Sequence, residues 1–201
     1  MKKLATLLLA ATALAACAQK DDMQGSMDKS GMAMGEMHGM SEPVMVGGSP
    51  MLATKTIVDN AVNSADHTTL VAAVKAAGLV ETLQSPGPFT VFAPTNEAFD
   101  ALPAGTVDTL LKPENKATLT KILTYHVVPG RLDSADLMKK IKAGGGTATL
   151  TTVEGEPLTV MTGMGKVIVR DTSGNVADVT IPDVHQSNGV IHVVDAVLVP
   201  K

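Results

Sequence analysis

Residues 87–99 constrain the fold more than any other stretch, because they contain all three phenylalanines of this 201-residue chain. Aromatic side chains bury the most area per residue, so we expect the core to concentrate here. The breaker Gly87-Pro88 comes first, and the apolar run at residues 89–93 is typical of a buried strand. Pro94 cannot extend a central strand, and Thr95 is a favourable helix N-cap. The stretch therefore predicts a central strand that leads directly into a helix.

The remaining sequence separates a helical half from a strand half. Up to residue 143 apolar residues recur at helical spacing, with Gly78 expected as one C-terminal cap and Ser134 as an N-cap. Further on the pattern predicts strands at 147–153, 158–161, 166–170, 176–181 and 190–199. Helices followed by hairpins indicate the α+β class rather than alternating βαβ units. The strand at 89–93 must then pair with strands far along the chain.

Three motifs in this order resemble those of the fasciclin-like domain family. They are GPFTVFAPTNEAF at 87–99, YHVVPG at 125–130 and SNGVIHVVDAVLVP at 187–200. The resemblance covers about Thr54 to Pro200. It implies a fasciclin-like fold, in which a β-wedge or sandwich is flanked by several short helices. It also implies a non-catalytic adhesion or protein-interaction module, and we expect the domain to be monomeric.

The resemblance directs attention to the Tyr-His motif. In animal fasciclin domains this region, with its branched apolar neighbours, is linked to integrin-dependent adhesion. The partner-contact residues implied here are Tyr125, His126, Leu123, Val127 and Val128. The structural alternative is that the Tyr125 ring closes the core while its hydroxyl finds a backbone partner. A bacterial envelope protein has no integrin of its own, so the expected partners are surface, matrix or envelope proteins or glycans.

The sequence contains no recognisable catalytic motif. A nucleophile elbow, a P-loop, a dinucleotide fingerprint and a zinc-protease helix pair are all missing from it. His126, His185 and His192 are dispersed, and no carboxylate pair or cysteine completes a metal site with them. His192 lies in an apolar run, which favours a hydrogen-bonded core residue. A net charge of −4 also gives no basic footprint for nucleic acid. We therefore expect no enzyme.

The N-terminus predicts export and a lipid anchor. Residues 1–16 combine two lysines with an apolar run too short to span a bilayer, as in a cleaved signal peptide. Leu14-Ala15-Ala16-Cys17 resembles the lipobox of bacterial lipoproteins, in which Cys17, the sole cysteine, is lipidated. The alternative is an ordinary signal peptide with Cys17 incidental. The expected location is the bacterial cell envelope, on the outer membrane facing the periplasm or the surface if the host has two membranes.

Residues 17–51 are predicted to be a flexible tether that precedes a domain at residues 52–201. Eight of the twelve methionines lie in this segment, which has no hydrophobic period. Thioether sulfur is a soft ligand that selects Cu(I). The candidate copper ligands are Met32, Met34, Met37, His38 and Met40. The alternatives are a plain spacer and an oxidant sink that cycles through methionine sulfoxide.

Overall fold

The computed structural model describes residues 42–200. Its strands are β1 (Val44–Val46), β2 (Ser49–Met51), β3 (Phe89–Pro94), β4 (Val127–Pro129), β5 (Thr147–Thr151), β6 (Pro157–Gly163), β7 (Lys166–Arg170), β8 (Val176–Gln186) and β9 (Gly189–Val194). Its α-helices are α1 (Ile57–Ala61), α2 (Thr68–Ala77), α3 (Val80–Gln84), α4 (Asn96–Asp100), α5 (Thr106–Leu110), α6 (Lys116–Tyr125) and α7 (Ser134–Ala143). Two 3-10 turns lie at Ala65–His67 and Pro113–Asn115. None of these helices is long and apolar enough to cross a bilayer.

Seven strands form one sheet in the order β4-β3-β9-β8-β7-β6-β5. Strands β3 and β9 pair in parallel, and every other neighbouring pair is antiparallel. The sheet nearly closes on itself, because the Val153 amide, just after β5, donates to the Val127 carbonyl of β4 at 2.7 Å. The predicted α+β class and the long-range pairing of the central strand are both confirmed.

Two glycines allow β3 and β9 to start side by side. The register pairs Phe89 with Gly189. A Cβ on Gly189 would overlap the carbonyl oxygen of Phe89, and one on Gly87 would overlap the carbonyl oxygen of Asn188. The neighbour in both cases is backbone, which cannot swing aside as a flexible side chain can. The glycines of the first and last motifs are therefore required because the backbones of β3 and β9 lie so close together.

The central strand β3 contributes side chains to both hydrophobic cores of the domain. Val91 and Ala93 face the core beneath the helices, which also takes Phe99 from α4. Phe92 faces the opposite core, between the sheet and α7, and is fully buried. Alternate residues of a strand point to opposite faces, so one apolar run serves two layers. Helix α7 covers the second core with Leu137 and Ile141.

The helix signals in the sequence match the structure in part. Thr95 caps α4 by accepting from the Ala98 amide, and Gly78 ends α2 in the left-handed conformation. Ser134 is the first residue of α7 rather than its N-cap, a position that Asp133 occupies. The predicted last strand at 190–199 also needs correction, because β9 ends at Val194.

The predicted boundary between tether and domain at residue 52 is wrong. Strands β1 and β2 form a hairpin within the segment assigned to the tether. Val46 and Met51 are buried in the core beneath the helices, and the Ala65 amide donates to the Gly47 carbonyl. Strands of three residues are too short to show an alternating pattern, so only their tertiary contacts reveal them. The predicted copper ligands and Cys17 lie outside the described residues.

Substituting Gly189 by alanine is expected to lower the free energy of unfolding by about 3 kcal/mol or more, because the new methyl group overlaps backbone. Gly163→Ala is the matched control. It also lies in a strand, but its methyl would meet only atoms of the flexible Ile168 side chain, so we expect a loss of about 1 kcal/mol or less. Urea unfolding of both variants measures the difference. Equal losses would contradict the close approach of β3 and β9.

Candidate functional site

Asn188, in the turn between β8 and β9, connects the first and last motifs. Its side-chain oxygen accepts from the Ile57 amide at 3.0 Å. Its side-chain nitrogen donates to the carbonyls of Leu83 at 2.7 Å and Ser85 at 3.0 Å. The Phe89 amide donates to the backbone carbonyl of Asn188 at 3.0 Å. A buried side chain with every polar group paired is a structural cross-link, and it leaves no group for a partner.

Tyr125, the last residue of α6, is fully buried in the second core. Its hydroxyl donates to the Pro157 carbonyl of β6 at 2.9 Å. Its ring meets the neighbouring ring of His126 edge-on, at a centroid distance of 6.5 Å. The side chain therefore fastens α6 to the sheet, in agreement with the structural alternative.

His126 fastens the C-terminal segment to α6. Its Nδ1 lies 2.8 Å from the Ile122 carbonyl, to which it donates, and its Nε2 accepts from the Leu198 amide at 3.0 Å. The ring is 2% exposed. Burial lowers the pKa of His126 to about 4, against opposing contributions from the Ile122 carbonyl and Asp171. The ring is therefore neutral at pH 7, with its proton on Nδ1.

The contact surface predicted at the Tyr-His motif needs correction. All five residues implied by the resemblance are buried: Leu123, Tyr125, His126, Val127 and Val128. Leu123 and Val127 belong to the core beneath the helices, whereas Tyr125 and Val128 belong to the core beneath α7. A partner cannot reach these side chains in the folded domain. The motif holds the two cores together.

His192 is a hydrogen-bonded core residue, as predicted. Its ring is fully buried and stacks on Phe92 at a centroid distance of 5.6 Å. Nε2 donates to the Leu132 carbonyl at 2.8 Å, and Nδ1 accepts from the Asp183 amide at 3.3 Å. Burial lowers the pKa of His192. Asp183, at a bulge in β8, accepts in turn from the backbone amide and the hydroxyl of Ser134. The network joins the bulge to the start of α7.

His185 does not join His192 in a ligand-binding pair. It is partly exposed, and its Nδ1 accepts from the Arg131 guanidinium at 2.9 Å and lies 3.6 Å from an Asp133 oxygen. Within residues 42–200 no three His, Cys, Asp or Glu side chains are arranged to hold a metal ion. These groups can form ion pairs and hydrogen bonds.

Sequence reasoning missed Asp171, a buried carboxylate that orders two segments. It accepts from the Ser173 amide at 2.9 Å and from the Asn175 amide and side chain at 2.8 Å each. It also accepts from the Val199 amide at 3.0 Å, which fixes the C-terminal segment. In the sequence, residues 171–175 indicate only a turn between two predicted strands. An aspartate at the start of a turn can accept from the backbone amide two residues on, as in an Asx turn, and this signal could have found the role.

The described residues form a narrow cavity lined in part by motif residues and a wider cleft away from the motifs. One is a narrow apolar cavity of about 50 Å³ beneath the helices, with His67 in its wall. The other is a cleft of about 480 Å³ between α7 and the turn that joins β6 to β7, which we call the hairpin cleft. The residues that line the hairpin cleft are Met138, Ile141, Lys142, Gly146, Thr162, Gly163, Met164 and Gly165. Of these two, the hairpin cleft has the size of a binding site.

A sequence model of the Fasciclin domain matches residues 65–200. Protein sll1483 from Synechocystis is 48% identical over 84% of this chain and 87% of its own length. Cell surface glycolipoprotein MPB83 from Mycobacterium bovis is 35% identical over 83% of this chain and 64% of its own length. Transforming growth factor-beta-induced protein ig-h3 from Sus scrofa is 40% identical over 65% of this chain but only 17% of its own length.

A solved structure shows the same fold. The FAS1 domain pair from the insect cell adhesion molecule Fasciclin I aligns with a TM-score of 0.65. The match covers 72% of this chain and 51% of that chain, at 20% sequence identity. The chain thus spans about half the length of this neighbour.

Acid is expected to destabilise the domain through its buried histidines. Between the ordinary pKa of 6.5 and the folded value of about 4, the unfolded chain binds a proton that folded His126 does not. The free energy of unfolding therefore falls as the pH falls through this window, by roughly 3 kcal/mol for this ring. The lowered pKa values of His67 and His192 act in the same direction.

Urea unfolding of a His126→Gln variant between pH 7 and pH 4 checks this assignment. The variant is expected to be less stable at pH 7, because it loses hydrogen bonds, but also less sensitive to acid. His185→Gln, which removes a partly exposed ring, is the control. Carboxylates titrate in all three proteins. The difference between their slopes of unfolding free energy against pH therefore isolates the contribution of His126. An unchanged slope in His126→Gln would contradict the assignment.

Proposed function

We propose, since the chain belongs to the fasciclin domain family, that it is an exported, lipid-anchored interaction module. It binds surface, matrix or envelope proteins or glycans and catalyses no reaction. The observation that carries the proposal is that the motif residues are bonded inside the domain rather than displayed on its surface. Asn188, Tyr125, His126 and His192 are all buried and paired with other parts of the domain. What the motifs specify is a stable scaffold, and binding belongs to its surface.

The names of similar proteins support the same role. One relative is a cell surface glycolipoprotein, and the structural neighbour belongs to a cell adhesion molecule. We extend both properties to this chain as proposals. Export and lipidation at Cys17 would fix the domain to a membrane, because acyl chains contribute roughly 0.8 kcal/mol per buried methylene. Anchoring many copies on one surface raises their effective concentration, so individually weak contacts can hold two surfaces together.

Deleting the gene is expected to reduce attachment of cells to surfaces and to one another. The intact gene supplied in trans should restore attachment, and its product should be recovered in the membrane fraction. A Cys17→Ser variant should fold but appear in the soluble fraction, and it should restore attachment poorly, because it lacks the anchor. Attachment counts and fractionation of these strains provide the measurement. Unaltered attachment in the deletion strain would contradict the proposed function.

Copper binding is a second proposed function, favoured by the spacing of methionines in the N-terminal segment. Met32, Met34, Met37 and Met40 recur every two or three residues, and His38 stands among them. Several thioethers and one imidazole suit Cu(I), which prefers soft ligands. Copper handling would be compatible with the interaction module, because the two functions use different residues.

A Cu(I) competition titration compares the chain that begins at Ala18 with one that begins at Glu42. Glu42 is the better start for the shorter chain, because β1 and β2 belong to the folded domain. Tight binding by the longer chain only is expected. Replacing its four methionines at 32–40 by leucine and His38 by glutamine keeps the side-chain sizes similar and should abolish binding. Equal binding by both chains would contradict this second function.

A further inference from the structure

The hairpin cleft has an apolar interior formed from two elements. Met138 and Ile141 come from α7, and Met164 comes from the turn between β6 and β7. Ile141 is buried, Met138 is 38% exposed, and Met164 is fully exposed. Methionine side chains are flexible and polarisable, which suits surfaces that adapt to a partner. The cleft volume of about 480 Å³ lies within the range of sites that hold a ligand or a side-chain anchor.

Met164 has no evident role in folding. It occupies the first position of a two-residue hairpin loop, with φ at 51°, and Gly165 follows with φ at 80°. Gly163 and Lys166 pair directly across the loop. Loops with two left-handed residues favour Asn-Gly, so a methionine costs stability at this position. An exposed apolar side chain held at such a cost is a candidate for contact with a partner.

The charged side chain that lines the cleft is positive. It belongs to Lys142, which forms no ion pair with another described residue. Lys166, the first residue after the turn, lies on the opposite face of β7, because the buried Val167 and Val169 face α7. No acidic side chain is among the residues that line the cleft. An anionic partner would therefore be favoured over a cationic one.

Beside the cleft, the end of β6 has no strand partner on its β5 side. Strand β5 begins at Thr147, which pairs with Met161 of β6. Strand β6 continues to Thr162 and Gly163, which pair with β7 on one side only. This short free edge could accept an extended segment, because strand edges bind peptides through main-chain hydrogen bonds.

We propose that the hairpin cleft docks an extended acidic peptide segment of a partner protein, with one apolar side chain inserted between Met138 and Met164. The inference rests on the proposed function as an interaction module and names the site of that function. The apolar side chain takes the interior, a neighbouring acidic side chain meets Lys142, and the peptide backbone lies along β6. A small anionic amphiphile and a second copy of this chain are the competing occupants.

The test uses four dye-labelled pentapeptides, each with a central Leu, Ile, Met or Phe between two pairs of acidic residues. Fluorescence polarisation with the chain from Ala18 to Lys201 should show binding by at least one of them. A peptide with a central Ser should bind at least fivefold more weakly. Amide signals of residues 138–146 and 162–166 should shift in NMR spectra. No binding by any of the four, equal binding of the Ser peptide, or shifts confined to other residues would overturn the proposal.

Met164→Asn separates binding from stability. It suits the turn better than methionine does, so the melting temperature should stay equal or rise while peptide affinity falls at least fivefold. Met45→Asn, at another exposed methionine, should leave affinity unchanged. Lys142→Gln should weaken binding at least threefold, whereas Lys140→Gln, on the same helix but outside the cleft, should not. Wild-type affinity in both cleft variants would overturn the proposal.

Further measurements address the competing occupants and the proposed function. Binding of octanoate in place of the peptides would identify a small anionic amphiphile as the occupant. Self-association that Met164→Asn abolishes would identify a second copy of this chain. In the deletion strain, the Met164→Asn gene should fail to restore attachment. If it restores attachment fully, the assignment of the cleft as the docking site is wrong, while the proposed function stands. If the deletion strain attaches normally, the proposed function fails instead.

Discussion

The parallel pairing of β3 with β9 is the contact on which the rest of this domain depends. It joins Phe89 to Gly189, so about a hundred residues must be closed into a loop before the pair can form. Once formed, the pair is flanked by β4, which pairs with β3, and by β8, which pairs with β9. It also supplies side chains to both cores. The Asn188 side chain reinforces the pair by tying α1 and α3 to the turn where β9 begins. The glycines of the two motifs are needed because only they permit the backbones to approach.

Two of the buried histidines, His126 and His192, are explained by backbone groups that regular structure leaves unpaired. The C-terminal segment beyond β9 has no strand partner at Leu198, and His126 accepts its amide proton. The loop before α7 likewise leaves the Leu132 carbonyl inside the domain, where His192 donates to it. An apolar residue at either position would leave a buried polar group unsatisfied, which costs about 1–3 kcal/mol. A neutral imidazole offers one donor and one acceptor, and both are used.

The sequence predicted those features that are set locally or by long apolar patterns. The α+β class, the caps at Thr95 and Gly78 and the long-range pairing of the central strand all depend on such signals. The hairpin of β1 and β2 was missed because three-residue strands carry no period and exist through their contacts with the helices. The burial of the Tyr-His motif was left open because α6 and β4 each bury a different face. The hairpin cleft was not foreseen, since it arises where α7 meets a turn more than twenty residues further along the chain.

A scaffold fixed by its motifs leaves the surface free to change. The motif residues are paired inside, so a substitution at the hairpin turn alters neither core. Met164 fits this division, because its cost in stability falls on an exposed turn that the β3–β9 pair does not need. A single apolar anchor in a cleft of about 480 Å³ would give a weak contact by itself. Weak contacts suffice for a domain displayed in many copies, because engagement of one copy makes the next one effectively intramolecular. The proposed lipid anchor and the proposed cleft would thus depend on each other: the anchor supplies the copy number, and the cleft supplies the selectivity.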